Sequence, residues 1–81
     1  MKVRLFARAR ELAGADCIDV DVPAGATVGD LRRRIGEAHP PLAKLVERSA
    51  LAVNDEFADD GLTLPLNAEV ALLPPVSGGA L

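Results

Sequence analysis

The residues of this chain with the clearest chemical use are two adjacent glycines, Gly78 and Gly79, in the segment PPVSGGAL. Glycine has no Cβ, so a Gly-Gly backbone can enter a slot that is too narrow for other residues. From Pro75 to Gly79 an extended chain spans about 13–14 Å, which is enough to reach into the active site of a partner. The chemistry that suits such a tail is activation of a terminal carboxylate. A partner couples the carboxylate to AMP from ATP, and a sulfur or nitrogen nucleophile then displaces AMP.

In this scheme the partner supplies the catalysis, and the other candidate side chains have structural explanations. The single His39 lies at a predicted helix end, where a cation interacts favourably with the helix dipole. Cys17 is the only cysteine, which excludes an internal disulfide and favours a reducing compartment. We expect the run Arg32–Arg34 to form a solvated helix face. The sequence has no zinc-ligand spacing and no phosphate-binding glycine loop, so we expect this chain to bind no metal and no cofactor.

Length and composition describe one small globular domain. The chain has 81 residues, of which 49% are apolar and 26% charged. Its net charge of −3 argues against nucleic acid as the main partner. No apolar stretch approaches the ~20 residues of a membrane span, and the N-terminal segment alternates apolar and charged residues, unlike a secretory leader. We therefore expect a cytoplasmic location.

Alternating apolar residues predict the strands that must hold the tail. The first and last predicted strands, KVRLFAR and EVALLPPV, have the clearest period of two. DCIDVDVP, ALAVN and EFA are the other predicted strands, and Asn54-Asp55 predicts a turn between the last two of these. The predicted inward residues of the first and last strands are Val3, Leu5, Ala7, Val70 and Leu72.

The segment ATVGDLRRRIGEAHPP predicts the main helix. Thr27 can cap its N-terminus, and Asp30 three residues later completes an acidic variant of the capping box. Gly36 inside this helix is expected to let a strand approach closely. ARELAGA and LAKLVER predict two shorter helical pieces. The apolar stripe of the main helix is predicted to be Val28, Leu31, Ile35 and Ala38.

The order strand, strand, helix, strand, short strand, strand predicts an α+β fold of the β-grasp type. We expect a mixed sheet of about five strands packed on one main helix. If the first and last strands are parallel neighbours, the tail leaves from the end of a central strand. We place the domain at residues 1–75 and a flexible C-terminal tail carrying Gly-Gly at residues 76–81.

The alternation also predicts apolar residues on the open face, the side of the sheet that the main helix does not cover. Phe6 and Leu73 are expected to lie near each other there, joined by Phe57 from the short strand. Arg4, Arg8 and Glu69 are expected at the rim of this patch. A cluster of exposed apolar residues on a small domain often marks a partner site, so we interpret the patch as an interface.

The quoted segments resemble a known family. LFARARELAG, ATVGDLRRRI, LAVNDEFA and EVALLPPVSGG together resemble the small, sulfur-carrying subunits of molybdopterin synthase, which are ubiquitin-like β-grasp proteins. The resemblance covers nearly the whole chain, and its first and last segments are the specific ones.

The resemblance implies a sulfur-transfer cycle. Gly79 matches the glycine that a ubiquitin-activating-type adenylyltransferase adenylates with ATP and that is then converted to a thiocarboxylate. Gly78 matches the penultimate glycine, which helps the tail to thread. The tail inserts into the large catalytic subunit, where sulfur passes to precursor Z (cyclic pyranopterin monophosphate), and two such transfers make molybdopterin. The resemblance further implies a possible heterotetramer of two small and two large subunits. The residues implied to bind partners are Phe6, Phe57, Leu73, Pro74, Pro75 and Val76.

The sequence departs from the family at one place, because Ala80 and Leu81 follow Gly79. Three explanations stay open for these two residues. A protease removes them during maturation, they are an addition left by cloning, or the protein is a non-conjugating relative that only binds a partner. Two other functions also stay open. One is another β-grasp sulfur carrier, for thiamine or cysteine synthesis, and the other is a ubiquitin-like modifier or non-conjugating binding module. An enzyme that acts alone is disfavoured, because no pair of nucleophile and base can be assembled from these residues.

Overall fold

Five strands form one mixed sheet in the computed structural model, which describes residues 1–75. The spatial order is β2-β1-β5-β3-β4. β1 and β5 are parallel at the centre, and the other neighbouring pairs are antiparallel. This arrangement confirms the predicted β-grasp fold, including the pairing of the first and last strands. The strands are β1 Lys2–Leu5, β2 Cys17–Asp19, β3 Ala50–Val53, β4 Glu56–Ala58 and β5 Val70–Leu73.

The hydrophobic core lies between one face of this sheet and the helices. In β1 and β5 the alternating residues point into it as predicted, and Leu72 has no exposed surface. The main helix, α2 (Val28–Ala38), buries one stripe of side chains against the same face, as its spacing predicted. The prediction of Ala38 in this stripe is wrong: Ala38 is exposed and is the last residue of the helix. The fully buried side chains from these elements are Val3, Val28, Leu31, Ile35, Val70 and Leu72.

α2 begins with the predicted capping box. The Asp30 backbone N–H donates to the Thr27 hydroxyl at 3.2 Å, and the Thr27 backbone N–H donates to the Asp30 carboxylate at 3.0 Å. This backbone hydrogen bond, together with one from Arg33, lowers the pKa of Asp30 below its ordinary value. The cap fixes where the helix starts, and Pro40 ends it because proline cannot continue the hydrogen-bond ladder.

The first strand is shorter than predicted. β1 ends at Leu5, Phe6 is the N-cap of α1 (Ala7–Ala13), and Ala7 has a left-handed φ of 52°. Ala7 is exposed, so its predicted inward position is wrong. The chain turns at Ala7, and the Ala9 N–H closes the turn by donating to the Phe6 carbonyl at 3.1 Å. The predicted stop at Gly14 is confirmed, with φ 71° and its N–H donating to the Arg10 carbonyl.

More than one helix covers the sheet, whereas the sequence predicted one main helix. A 3₁₀ turn at Pro40–Leu42 leads directly into α3 (Ala43–Arg48), which packs beside α2. Leu42, Leu45 and Val46 are buried in the same core, so these short elements extend the layer that the main helix begins.

Gly36 permits the close approach of a helix, where the sequence predicted a strand. A Cβ on Gly36 would lie 3.4 Å from the Ala43 Cα, at the start of α3. That spacing lies at the short limit of ordinary van der Waals contact, so α3 packs directly against the backbone of α2 at this glycine.

Arg32 is a structural residue, which corrects the expectation of a fully solvated arginine run. Its side chain is only 19% exposed. The guanidinium donates to the carbonyls of Val46 and Ser49 at the end of α3, and to the Asp60 carboxylate at 2.9 Å. Arg33 and Arg34 are exposed as predicted.

Candidate functional site

The described part of the chain ends two residues after β5, a strand in the middle of the sheet. β5 lies between β1 and β3, and its register with both is fixed by buried residues. Pro74 is half-buried, and Pro75, the last described residue, is exposed. Neither proline has a backbone N–H, so the sheet ladder cannot continue through them. The sequence-predicted residues Val76, Gly78 and Gly79 lie outside the described residues.

One row of side chains crosses the open face at the level of Ala71. The register places Arg4 and Ala52 on either side of Ala71, and Phe57 beyond Ala52. Ala52 is only 8% exposed although it lies on the side opposite the core, whereas Phe57 is 77% exposed. The middle of the row therefore consists of two alanines, Ala71 and Ala52, and an exposed aromatic ring, Phe57, lies at one end.

Phe6 lies at the end of the open face where Pro74 and Pro75 follow β5. Its extended backbone, with φ −130° and ψ 154°, continues the alternation of β1 for one more residue. Since Leu5 pairs with Leu72, this places Phe6 level with Leu73. Phe6 is 37% exposed and Leu73 half-buried. The structure thus places Phe6, Phe57 and Leu73 on the predicted face. Phe57 does not join the other two as predicted, because β3 lies between β4 and β5 and Phe57 is level with Ala71 and not with Leu73. The role of all three in binding a partner stays a prediction.

The predicted rim is only partly correct. The Arg4 guanidinium lies 5.7 Å from the centroid of the Phe6 ring. Arg8 is exposed in the first turn of α1 and forms an ion pair with Glu11 at 3.6 Å. Glu69 lies at the other end of β5, where its N–H donates to Asn54, so it does not border Phe6 and Leu73.

Sequence reasoning assigned no role to the small residues of the open face. Ala52 and Ala71 alternate with the buried residues of β3 and β5, so the same period-two pattern identifies them. Their small side chains project little from the sheet. A further apolar groove of about 490 Å³ lies at the opposite end of the sheet, bordered by Met1, Val22, Leu64 and Leu66.

The chemistry available within residues 1–75 is limited. Cys17 is a free, exposed thiol on the edge strand β2, and His39 is the half-buried C-cap of α2. Over these residues no group of three His, Cys, Asp or Glu side chains is placed to hold a metal ion. No helix in the described part of the chain is long and apolar enough to cross a membrane.

Comparison with known proteins gives consistent matches over almost the whole chain. The family model described as the ThiS family matches residues 3–79. The molybdopterin synthase sulfur carrier subunit of Dictyostelium discoideum is 38% identical over 81 residues, covering 96% of this chain and 94% of the relative.

Two solved structures extend the similarity to the fold. The crystal structure of small archaeal modifier protein 1 from Haloferax volcanii superposes with a TM-score of 0.80 at 35% identity, covering 93% of this chain and 95% of that one. A chain from the protein–protein complex of subunits 1 and 2 of molybdopterin-converting factor from Helicobacter pylori superposes with a TM-score of 0.66 at 25% identity. That match covers 96% of each chain.

Proposed function

The chain belongs to the ThiS family, and on this premise we propose that it is the sulfur carrier subunit of a molybdopterin synthase. It is the sulfur-donating component of a sulfurtransferase complex and is not catalytic alone. The near-complete match to a curated sulfur carrier subunit at 38% identity favours this role over the other β-grasp carriers.

The observation that carries the proposal is the position of the chain exit. β5 is a central strand, two prolines follow it directly, and the second of these, Pro75, is exposed. A partner that covers the open face is thereby in reach of the residues that follow Pro75. When the partner docks on the open face, it binds the domain and also receives the tail.

The reactive group is the carboxylate of Gly79. It becomes free only when the Gly79–Ala80 peptide bond is cleaved, so maturation removes Ala80 and Leu81. A ubiquitin-activating-type adenylyltransferase then couples the carboxylate to AMP from ATP, and a sulfur nucleophile displaces AMP to leave a thiocarboxylate. The sulfur passes to precursor Z. The nucleotide is held by the activating partner, and this chain binds no cofactor of its own.

The large synthase subunit docks on the open face. Phe6, Phe57 and Leu73 provide the apolar contact, and the segment Pro74–Val76 enters the partner's channel with Gly78 behind it. A Helicobacter pylori relative in a complex of subunits 1 and 2 supports a large-subunit partner. We propose two small and two large subunits for the assembly.

The test is the intact mass of the untagged protein from its native host, and of the protein after incubation with ATP, a sulfur donor and the activating enzyme. We expect a chain ending at Gly79 with one terminal oxygen replaced by sulfur. Gly79→Val is expected to block this conversion and to leave the melting temperature unchanged. A chain that retains Ala80 and Leu81 and gains no sulfur under these conditions would contradict the proposal.

A second candidate function is protein modification, favoured by the similarity to small archaeal modifier protein 1. In that case the activated Gly79 is attacked by a lysine amine, which forms an isopeptide bond. Mass spectrometry of tryptic digests from the native host distinguishes the two roles. Peptides with this chain's C-terminus linked to target lysines identify a modifier, whereas a thiocarboxylate without conjugates identifies a carrier.

A further inference from the structure

Arg4 is a cation placed among apolar and small side chains on the open face. It lies on the central strand β1, and its register neighbours are Ala71 on one side and Cys17 on the other. Lys2, two residues earlier on the same face, is instead paired in register with the acidic Asp19. Arg4 therefore has no carboxylate opposite it on either neighbouring strand.

Four other arginines in the described chain do have acidic partners. Their ion pairs are Arg8–Glu11, Arg10–Asp16, Arg32–Asp60 and Arg33–Asp30. Arg34 donates to the Asp21 carbonyl, and Arg48 occupies the last turn of α3, where the helix dipole favours a cation. Within residues 1–75 the Arg4 guanidinium lies over the Phe6 ring, 5.7 Å from its centroid, and forms no ion pair.

A partner that covers Phe6 and Leu73 must also cover Arg4. Removing a guanidinium from water is costly unless the new surface supplies an opposite charge and hydrogen bonds. The planar guanidinium makes two parallel hydrogen bonds to a carboxylate, so an acidic side chain is the group that best meets this need. The apolar ring beside it lowers the local dielectric and strengthens such a pair.

From this placement we propose that Arg4 is a specificity-determining residue, which pairs with a carboxylate on the large-subunit surface that docks on the open face. The inference rests on the proposed function, because it takes the large subunit as the occupant. The cation selects that surface: an apolar patch without an acidic group would leave Arg4 desolvated and unpaired.

The test is the affinity of the full chain for the large synthase subunit at several salt concentrations. We expect Arg4→Gln to weaken binding roughly 10-fold and Arg4→Glu roughly 100-fold, and Arg4→Gln to flatten the salt dependence.

Arg48→Gln is the matched control, since it removes the same charge from an exposed position on α3, on the helix side of the sheet. It is expected to change the affinity by less than about 2-fold. All variants are expected to keep the wild-type melting temperature, because Arg4 is exposed in the isolated chain.

A further experiment identifies the acidic partner. Single acidic residues of the large subunit are reversed to lysine and combined with Arg4→Glu. One reversal is expected to restore most of the lost affinity. If none does, and Arg4→Gln binds as tightly as the wild type, the inference is wrong.

Phe57→Ala separates failure of the inference from failure of the proposed function. If Phe57→Ala weakens binding and Arg4→Gln does not, the large subunit docks on the open face without an acidic partner, and only the inference fails. If the wild type does not bind the large subunit at all, the proposed function fails and the inference fails with it. A homodimer in sedimentation that Arg4→Gln dissociates would assign the open face to a second copy of this chain, which also overturns the inference.

Discussion

The two faces of the central strands serve different purposes, although they alternate residue by residue. On the helix side of β5, Val70 and Leu72 are sealed in the core, whereas on the open face Ala71 and Leu73 remain half-buried. The helix side is built from large branched residues that fill space. The open face has a flat floor of alanines with aromatic rings at its borders, which suits contact with another surface. One strand therefore packs the core on one side and, under the proposed function, contacts the partner on the other.

The largest expected effect tests the helix side of this comparison. Leu72→Ala leaves a cavity at the centre of the core and is expected to lower the free energy of unfolding by about 2–5 kcal/mol. Leu73→Ala, the next residue on the open face, is the matched variant and is expected to cost less than about 1.5 kcal/mol. Urea denaturation of both variants measures the difference. Equal losses would show that both faces are packed as core.

The next effect tests the open face. Phe57→Asp is expected to weaken binding to the large subunit roughly 100-fold, because a projecting aromatic ring in an apolar contact is a typical hot spot. The free energy of unfolding should change by no more than about 0.5 kcal/mol, since most of the ring is exposed.

Leu66→Asp is the control for Phe57→Asp, because Leu66 is an equally exposed apolar residue at the far groove. It should leave binding intact. Loss of binding with Leu66→Asp but not with Phe57→Asp would move the interface to that groove. Phe6→Asp is likewise expected to weaken binding more than stability, and a collapse of the melting temperature with binding intact would place Phe6 in the core.

A smaller effect separates two neighbouring arginines of the helix layer. Arg32→Gln removes a charged donor from the carbonyls of Val46 and Ser49, so we expect a loss of about 1–3 kcal/mol in unfolding free energy. Arg33→Gln breaks an exposed ion pair and should cost less than about 0.5 kcal/mol. Thermal denaturation of the two variants compares them. Similar melting temperatures would mean that the Arg32 contacts contribute little.

The smallest effect concerns acid stability at the start of α2. The pKa of Asp30 is lowered in the folded chain, chiefly by the Thr27 N–H, so its ionised form stabilises the fold. A depressed folded pKa means that this contribution is present above the unfolded pKa and is lost as the pH falls through the folded value. Asp30→Asn should therefore be less stable than the wild type at neutral pH, and the gap should narrow below about pH 4.

Urea denaturation across this pH range measures the gap. Glu37→Gln is the control, because Glu37 is an exposed residue of the same helix that makes no side-chain hydrogen bond among the described residues. A gap between wild type and Asp30→Asn that stays constant with pH would contradict the assigned cause.

The period-two pattern of β1 and β5 predicted both the sheet and the sides of its residues, because alternation is a local property of the sequence. The capping box at Thr27 was equally readable, since both partners lie within four residues. Arg32 was misread because its partners, Ser49 and Asp60, are distant in sequence and meet it only after folding.

The turn at Ala7 had no signal in the sequence, because alanine rarely adopts a left-handed φ. Its consequence was an overlong first strand, although the position of Phe6 on the open face was still correct. The sequence likewise could not identify the neighbour of Gly36. A glycine in a helix indicates that another element approaches closely, but it does not indicate which element. The reactive end of the candidate site was predicted from the types of Gly78 and Gly79, and stays a prediction.

The parallel pairing of β1 with β5 has a consequence for synthesis on the ribosome. Val3 and Val70 are register partners from opposite ends of the described chain, and contacts so far apart in sequence form late in folding. During translation, β1 must wait for almost the whole polypeptide before it gains its central neighbour. A prematurely terminated product lacks the strand that completes the sheet together with the glycines that follow it. Under the proposed function, such a fragment would have neither a finished docking surface nor a reactive end, so it could not occupy the partner unproductively.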